Sequence, residues 1–343
     1  MNEQAPEIAP GRPVAVVLGP TACGKSELAM SIADSFDAEI ISFDSMKVYR
    51  GMDIGTDKPS AEMRSRYRYH LVDVREPEEL SNAGWYVAEA DKAAASILAR
   101  GRLPLLEGGT ALYLKAFIQG IFDGPGRDEA YRAELAEREE RDGEGSLHRE
   151  LERVDPTAAA RLHPRDLKRI VRALEVHKIT GRSISEQQKQ WAAASPRGDY
   201  VFILIGLKRP RSELYRRINE RVDEMIKKGL LDEVRTLWAG GRLGPTAKAA
   251  LGYTELVEHF EGRVTLDEAV RLIKRNTRRF ARRQIGWFAK FPEVAWHDVS
   301  GDNAMRNAVE AACSLVRRGI NERAPGWNRL VSPKSRNEKG GAA

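Results

Sequence analysis

The segment GPTACGKS, residues 19–26, has the spacing of a phosphate-binding loop, in which two glycines five positions apart are followed by Lys and Ser. It follows a Val-rich run, Pro13–Leu18, that predicts a strand, and it precedes apolar residues at helical spacing. In this context backbone N–H groups and the helix N-terminus face an anion, Lys25 adds a full charge, and the Ser26 hydroxyl can ligate Mg²⁺. We therefore predict a site for a diphosphate or a longer anion, with no nucleoside specified. Its residues are Gly19, Pro20, Thr21, Ala22, Cys23, Gly24, Lys25 and Ser26.

Two arginines further along the chain could act on the same anion. Arg217 and Arg221 are four residues apart in a stretch with helical spacing, so their side chains lie on one face of a helix. Guanidinium groups in that arrangement can clamp a diphosphate through paired hydrogen bonds, or they can form an ordinary solvated basic surface. The spacing alone leaves both interpretations open.

A third stretch points to a larger anionic partner. Residues 269–292 contain eight Lys and Arg residues and no acidic residue. Apolar and small polar side chains recur there every three or four positions, which predicts a long helix over 265–291 with one side packed inward, Trp287 included. A solvated helix face ordinarily mixes charges of both signs, so this excess of cations favours contact with RNA phosphates. The net charge of the whole chain, +6, suggests a polyanionic partner without requiring one.

The elements that must position these groups alternate between strand and helix. Further strands are predicted in AEIISFDS, in LPLLEGG, in YVFILIGL and, more weakly, in YHLVDV. This order predicts an α/β fold with a P-loop NTPase-like, mainly parallel sheet flanked by helices. Ligands of such sheets bind at the carboxyl ends of the strands, and Asp44 stands at the end of IISFD.

Residues 129–189 interrupt this alternation with several predicted helices rich in Arg, Glu and Ala, which indicates an inserted helical subdomain. We expect the following organisation: a flexible tail, 1–12; the P-loop α/β core with the basic helix, 13–122 and 200–300; the insertion, 123–199; a C-terminal helix, 301–326; and a disordered tail, 327–343.

Composition limits the compartment and the chemistry. Of the 343 residues, 42% are hydrophobic, which is enough to bury the core of one large or two modest domains. The two cysteines, Cys23 and Cys313, support neither a disulfide framework nor a cysteine-based zinc site. No secretory signal or membrane-spanning run is visible, so we expect a cytoplasmic protein without membrane association.

Longer segments carry a resemblance to a known family. In chain order they are IISFDSMKVYRGMDIGTDKP, EGGTALYL, HPRDLKRIVRALEV and TRRFARRQIGWF. With these segments, from about Val14 to about Asp298, the chain resembles the tRNA dimethylallyltransferases, also called isopentenyl-tRNA transferases, of the bacterial type. The resemblance implies that the loop holds dimethylallyl diphosphate with Mg²⁺. It also implies transfer to N6 of the adenosine immediately 3′ of the anticodon, with the tRNA anticodon stem-loop as partner; we expect a monomer.

The resemblance also implies roles for single residues. Asp44 matches the catalytic base of the family, whereas Thr21, Arg217 and Arg221 match groups on the diphosphate. Ser26 is the implied Mg²⁺ ligand, and Asp44 and Asp73 are both open as a second one. The implied tRNA-binding residues, some in the insertion, are Asp44, Ser45, Met46, Lys47, Thr110, Lys168, Arg169, Arg172, Leu251, Gly252, Tyr253, Arg278, Arg279, Arg282 and Arg283.

Two positions depart from the pattern of the family. Lys47 stands where the family usually has Gln, and Glu107 stands where it tends to have an aliphatic residue before Gly-Gly-Thr. An ammonium group at the first position leaves the hydrogen bonds to the target adenosine open. The glycines after Glu107 still permit close approach of the backbone.

Three other functions use parts of the same pattern. A small-molecule P-loop kinase would use the loop, an Asp and paired Arg residues, yet it does not account for residues 269–292. An isopentenyltransferase acting on free adenine nucleotides would be shorter, without the insertion and the basic helix. An RNA-binding module that is nucleotide-dependent but not catalytic would tolerate the Asp44→Ala substitution.

Overall fold

The structure, a computed structural model, describes residues 11–120, 124–193, 197–291 and 293–330. The chain forms two compact units: one consists of the chain up to Ile118 and from Arg197 onward, and the other of Gln119–Pro196. Ile118 and Arg197, the two residues of the first unit that flank the second unit in sequence, are hydrogen-bonded to each other: Arg197 N donates to Ile118 O at 2.9 Å. Among the described residues, no helix combines the length and the apolar character that crossing a bilayer requires.

A six-stranded sheet forms the centre of the first unit. Its strands are β1 (Arg12–Leu18), β2 (Ala38–Ser42), β3 (Tyr69–His70), β4 (Leu103–Glu107), β5 (Tyr200–Lys208) and β6 (Ala295–Asp298). They are ordered β3, β2, β4, β1, β5, β6 across the sheet, and every neighbouring pair is parallel. The predicted α/β fold with a mainly parallel sheet is therefore confirmed.

The described residues contain fifteen α-helices. In chain order they are α1 (Lys25–Phe36), α2 (Ala61–Arg66), α3 (Ala83–Ala99), α4 (Ala111–Gln119), α5 (Glu129–Asp142), α6 (Ser146–Val154), α7 (Pro156–Ala159), α8 (Leu167–Thr180), α9 (Ile184–Ala193), α10 (Arg211–Lys227), α11 (Leu230–Ala239), α12 (Pro245–Lys248), α13 (Tyr253–Phe260), α14 (Leu266–Phe288) and α15 (Ala304–Arg323). A 3-10 helix follows at Pro325–Leu330.

Two apolar clusters fix the helices of the first unit. Leu28, Ile32 and Phe36 of α1 are buried, as the helical spacing predicts, and share one cluster with the sheet and α15. The second cluster joins α10, α11, α13 and α14 to the segment that follows β2, with Tyr49 and Met52 fully buried. Because the segment after β2 and the basic helix α14 pack into one cluster, both are held near the same edge of the sheet.

Some predicted boundaries differ from the structure. The strand predicted in YHLVDV is limited to Tyr69–His70, because Leu71 and Asp73 adopt positive φ angles of 60° and 56° that a strand does not allow. Strand β6 has no apolar run to signal it, and four residues at a sheet edge give little periodicity. Residues 327–330 of the tail predicted to be disordered lie in the 3-10 helix. The remainder of that tail and residues 1–10 of the other tail lie outside the described residues.

The second unit consists of α5–α9 and has an apolar core of its own, to which Leu135, Leu151 and Leu174 belong. Glu175 is fully buried and binds the guanidinium groups of Arg132 at 2.6 Å and Arg172 at 2.5 Å. Burial alone would raise the pKa of Glu175, but the two arginines lower it to about 2. The helical character predicted for the insertion is observed, whereas tRNA binding by this unit stays a prediction.

Candidate active site

A pocket of about 440 Å³ opens at the carboxyl ends of β1, β2 and β4. The phosphate loop lines it after β1, Asp44 and Lys47 after β2, and Glu107–Gly109 at the end of β4. Helix α10 contributes Arg217 and Arg221, and α14 contributes Gln284. Parallel strands bring these segments together, because all their carboxyl ends meet at one edge of the sheet.

The phosphate loop needs its glycines for steric reasons. Gly19 and Gly24 have φ angles of 148° and 104°, which L side chains rarely adopt. A Cβ atom on Gly19 would lie 2.7 Å from Leu207 O, so backbone crowding also excludes a side chain there. Helix α1 begins at Lys25, whose Nζ donates to Pro20 O at 2.9 Å and so spans the loop. The loop therefore has the strand, turn and helix geometry that anion binding requires.

The two arginines of α10 reach the loop from one helix face. Arg217 Nε donates to Ala22 O at 2.9 Å, and Arg221 donates to Thr21 Oγ1 at 3.3 Å. Arg221 also forms an ion pair at 2.9 Å with Asp57, another residue that lines the pocket. Both arginines line the pocket and are only partly exposed, and their action as a clamp on a diphosphate stays a prediction.

Gln284 connects the basic helix to two of these loops, although no motif in the sequence indicates a role for it in the site. Its Oε1 accepts from Thr21 N, and its Nε2 donates to Gly109 O, both at 2.8 Å. The side chain is only 4% exposed. A polar residue within the inward-facing stripe of a helix was the available signal, because a buried amide needs partners on other elements.

Asp44 is the acidic residue that follows β2 in the pocket. Its Oδ1 accepts from Met46 N at 2.9 Å, which fixes the carboxylate in a short turn. Asp73 does not line this pocket and binds Lys58 and Arg64. Of the two carboxylates left open by the sequence, Asp44 is the one that can reach a ligand of the phosphate loop.

The two residues that depart from the family pattern meet in the pocket. Lys47 Nζ lies 3.7 Å from Glu107 Oε2, and Glu107 Oε1 accepts from Ser26 Oγ at 3.3 Å. Burial alone would lower the pKa of Lys47, but the carboxylates of Glu107, Asp44 and Asp57 outweigh it and raise that pKa. Lys47 is therefore a buried cation whose charge Glu107 balances.

Ser26, Asp44 and Glu107 are among the carboxylate and hydroxyl residues that line the pocket. Among the described residues, no three His, Cys, Asp or Glu side chains come together as a metal cage. Mg²⁺ usually binds through one or two protein oxygens and completes its shell with phosphate oxygens and water. The oxygen donors present fit a Mg²⁺ that arrives with a diphosphate.

The other residues implied in tRNA binding differ in accessibility. Thr110 Oγ1 accepts from Ser45 N at 3.0 Å and so links the loops after β4 and β2. Tyr253 is 0% exposed, and burial raises its pKa; its hydroxyl donates to Glu233 at 2.5 Å. Gly252 precedes it with a φ angle of 92°. A direct contact of Tyr253 with RNA does not fit this burial. Gly252 is buried as well, whereas Leu251 is partly exposed.

Helix α14 presents its free cations on one side. Lys274 binds Asp223 at 2.6 Å, and Arg278 donates to Asn219 at 2.6 Å, so both face α10. The exposed arginines are Arg271, Arg275, Arg279, Arg282 and Arg283, and of these only Arg271 has an ion pair within the described part of the chain. The expectation that Trp287 belongs to the core is wrong, since its side chain is 41% exposed.

The second unit holds the remaining three residues. Lys168 and Arg169 are exposed on α8, and Arg169 binds Asp166 at 2.7 Å. Arg172 binds Glu175 and Pro125 O, the latter at 3.0 Å, so its guanidinium stabilises the unit itself. Binding of tRNA by Arg172 would have to use the exposed part of its side chain, because its guanidinium group already binds Glu175 and Pro125 O.

Comparison with known proteins agrees with this geometry. The family model described as IPP transferase matches residues 47–291. The chain is 47% identical to the tRNA dimethylallyltransferase of Thermotoga maritima, over 84% of this chain and 92% of that one. It is 48% identical to the tRNA dimethylallyltransferase of Symbiobacterium thermophilum, over 89% and 95% of the two chains.

Solved structures give the same result. The crystal structure of the tRNA isopentenylpyrophosphate transferase of Bacillus halodurans superposes with a TM-score of 0.66 at 38% identity, covering 90% of this chain and 98% of that one. The fold is also that of a eukaryotic dimethylallyltransferase acting on tRNA, with a TM-score of 0.73 at 23% identity. The match covers 94% of this chain and 84% of that one. The chain therefore belongs to the IPP transferase family, whose curated bacterial relatives are tRNA dimethylallyltransferases.

Proposed function

We infer that the protein transfers the dimethylallyl group of dimethylallyl diphosphate to N6 of the adenosine immediately 3′ of the anticodon in tRNA and releases diphosphate. The observation that carries this function is one pocket in which a phosphate loop, two arginines and a carboxylate converge. The name that the bacterial relatives share, tRNA dimethylallyltransferase, supports the same activity.

The cationic side of the pocket acts on the leaving group. Breaking the carbon–oxygen bond places negative charge on the diphosphate, and preorganised donors at that position lower the barrier. Lys25, Arg217 and Arg221 supply the positive charge, and the amides of the loop supply hydrogen bonds. Mg²⁺, when bound at Ser26, neutralises further charge on the diphosphate oxygens.

Asp44 acts on the nucleophile. The lone pair of the adenine N6 is delocalised into the ring, so attack on carbon requires that a base remove a proton from the amine. The hydrogen bond from Met46 N to Oδ1 orients the carboxylate of Asp44, and its remaining lone pairs can accept that proton. In the complete step the carbon–nitrogen bond forms, the carbon–oxygen bond breaks, Asp44 takes the N6 proton and diphosphate departs.

The basic helix supports a macromolecular acceptor. Arg275, Arg279 and Arg282 lie at helical spacing on an exposed side of α14, where phosphates of an RNA backbone can bind. The adenosine must leave the stack of the anticodon loop to reach the pocket, which costs less in a loop than in a duplex. A kinase acting on a small molecule has no use for this surface.

The function is tested with purified protein, Mg²⁺ and radiolabelled dimethylallyl diphosphate. The acceptors are an unmodified anticodon stem-loop with adenosine 3′ of the anticodon, the same stem-loop with guanosine there, and free AMP. We expect label only in the first. Label in AMP alone would indicate the enzyme that acts on free nucleotides, and ATP turnover without transfer of label would indicate the kinase.

The role of Asp44 is tested by Asp44→Asn. We expect transfer to slow by about 10²- to 10⁴-fold, because the amide cannot accept the proton, while binding of the prenyl donor persists. The matched control is Asp73→Asn, which changes a carboxylate outside the pocket and should transfer at nearly the wild-type rate. Wild-type transfer by the Asp44→Asn variant would remove Asp44 as the base.

A further inference from the structure

Glu107 is a buried carboxylate at the base of an anion-binding pocket. It is the last residue of β4 and only 4% exposed. In the sheet it lies opposite Val17 of β1 on one side and Ser42 of β2 on the other. Phe43 N donates to its carbonyl oxygen at 2.9 Å. The backbone is thus held from both sides, which keeps the side chain of Glu107 beside the phosphate loop.

A negative charge at this position opposes the binding of a diphosphate. Lys47 balances one carboxylate oxygen, Oε2, from a distance of 3.7 Å. The other oxygen, Oε1, is directed at the Ser26 hydroxyl, 3.3 Å away. A metal ion between Oε1 and the incoming diphosphate would convert the repulsion into attraction.

The geometry fits such an ion. Two neighbouring ligands of an octahedral Mg²⁺, each bound at 2.0–2.1 Å, are about 2.9 Å apart. The 3.3 Å between Ser26 Oγ and Glu107 Oε1 is close to this spacing, and a small rotation of either side chain closes the difference. Asp73 has no comparable position, since it binds Lys58 and Arg64 outside the pocket.

We propose that Glu107 is the second protein ligand of the Mg²⁺ that Ser26 binds, and that Lys47 is a positioning residue that holds the carboxylate in place. The proposal rests on the proposed function, because the ion is completed by diphosphate oxygens. It also gives the two departures from the family pattern one cause: Lys47 and Glu107 work as a pair across the pocket.

The experiment measures the affinity for inorganic diphosphate by calorimetry in Mg²⁺ and in EDTA, and the affinity of the diphosphate-loaded protein for Mn²⁺ by electron paramagnetic resonance. For Glu107→Gln we expect Mg²⁺-dependent diphosphate binding and Mn²⁺ binding to weaken by about 10- to 100-fold. In EDTA the same variant should bind diphosphate as well as the wild type or better, because one negative charge is gone.

Glu220→Gln is the matched control, since Glu220 lines the same pocket and pairs with Arg216 at 2.8 Å. The Glu220→Gln variant should change the affinity for diphosphate by the same factor in Mg²⁺ and in EDTA. The double variant Lys47→Gln and Glu107→Val removes the whole pair, so it tests the same loss of metal affinity without leaving one buried charge unpaired.

An equal shift of diphosphate affinity with and without Mg²⁺ in Glu107→Gln would overturn the assignment and leave Glu107 as the counter-ion of Lys47. Unchanged Mn²⁺ affinity of the double variant would overturn it as well. Failure of the wild-type protein to bind diphosphate under either condition would instead overturn the proposed function, and the metal assignment with it.

Discussion

Gln284 joins two loops of the pocket through buried hydrogen bonds, and the substitution Gln284→Leu tests how much they stabilise the fold. Leu has a similar size and an apolar tip, so it removes the hydrogen bonds to Thr21 N and Gly109 O with little change in volume. Each bond contributes roughly 1 kcal/mol net, and a buried group left without a partner costs roughly 1–3 kcal/mol.

The two backbone groups differ in their access to water. Gly109 is buried, whereas Thr21 is partly exposed toward the pocket and can be hydrated. The loss for Gly109 O is therefore the cost of a buried group without a partner, roughly 1–3 kcal/mol, whereas the loss for Thr21 N is the net value of one bond, roughly 1 kcal/mol. Together they give a loss of stability of about 2–4 kcal/mol. The assay is urea unfolding of the full chain followed by tryptophan fluorescence.

Ile285→Ala is the control on the same helix, because Ile285 is 44% exposed and its removal should change stability by no more than about 0.5 kcal/mol. The Gln284→Glu variant separates the two bonds. The carboxylate of Glu at this position can still accept a hydrogen bond from Thr21 N, but it has no proton to donate to Gly109 O, so the two oxygen atoms repel each other. That variant should recover stability as the pH falls, because a protonated carboxyl group can again donate. A Gln284→Leu protein as stable as the wild type would refute the reasoning.

Two further predictions concern the second unit and the basic helix. Glu175→Gln should destabilise the second unit by about 3 kcal/mol, measured by hydrogen exchange, because Arg132 and Arg172 lose their buried partner. Since the pKa of Glu175 is lowered to about 2, its contribution to the free energy of unfolding is complete above pH 4.5 and is lost as the pH falls toward 2. The stability of the variant should therefore depend less on pH in this range. Identical pH dependence of the variant and the wild type would contradict this. Arg279→Ala and Arg282→Ala should each weaken tRNA binding and reduce its salt slope by about 0.7–0.9, without changing diphosphate affinity. The exposed Lys92→Ala control should leave the slope unchanged, and an unchanged slope in the arginine variants would remove α14 as the RNA surface.

Local patterns in the sequence predicted much of the fold. The phosphate loop, helix α1 and helix α14 each carry a signal within their own residues, either a fixed spacing of glycines or a stripe at helical period. Four of the six strands also follow from short apolar runs. These elements could be predicted because the forces that select them act between near neighbours in the chain.

Contacts between distant residues could not be predicted in the same way. Gln284 and Thr21 are separated by 263 positions, and the pairing of Lys47 with Glu107 depends on how β2 and β4 lie beside each other. The burial predicted for Trp287 is wrong for a different reason. It is next to buried Phe288, and one residue corresponds to a rotation of about 100° around a helix, enough to move a side chain from the core to the surface.

The pairing of β1 with β5 has a consequence for the order of events during synthesis. Arg12 lies opposite Tyr200, so the first strand of the sheet waits for a partner that the ribosome adds only after the entire second unit. The second unit is continuous in sequence, and its contacts close short loops, which is the faster process. We therefore expect α5–α9 to be folded when β5 leaves the ribosome. Until then the strands before it have an open edge at β1, and exposed strand edges of this kind are where nascent chains associate wrongly.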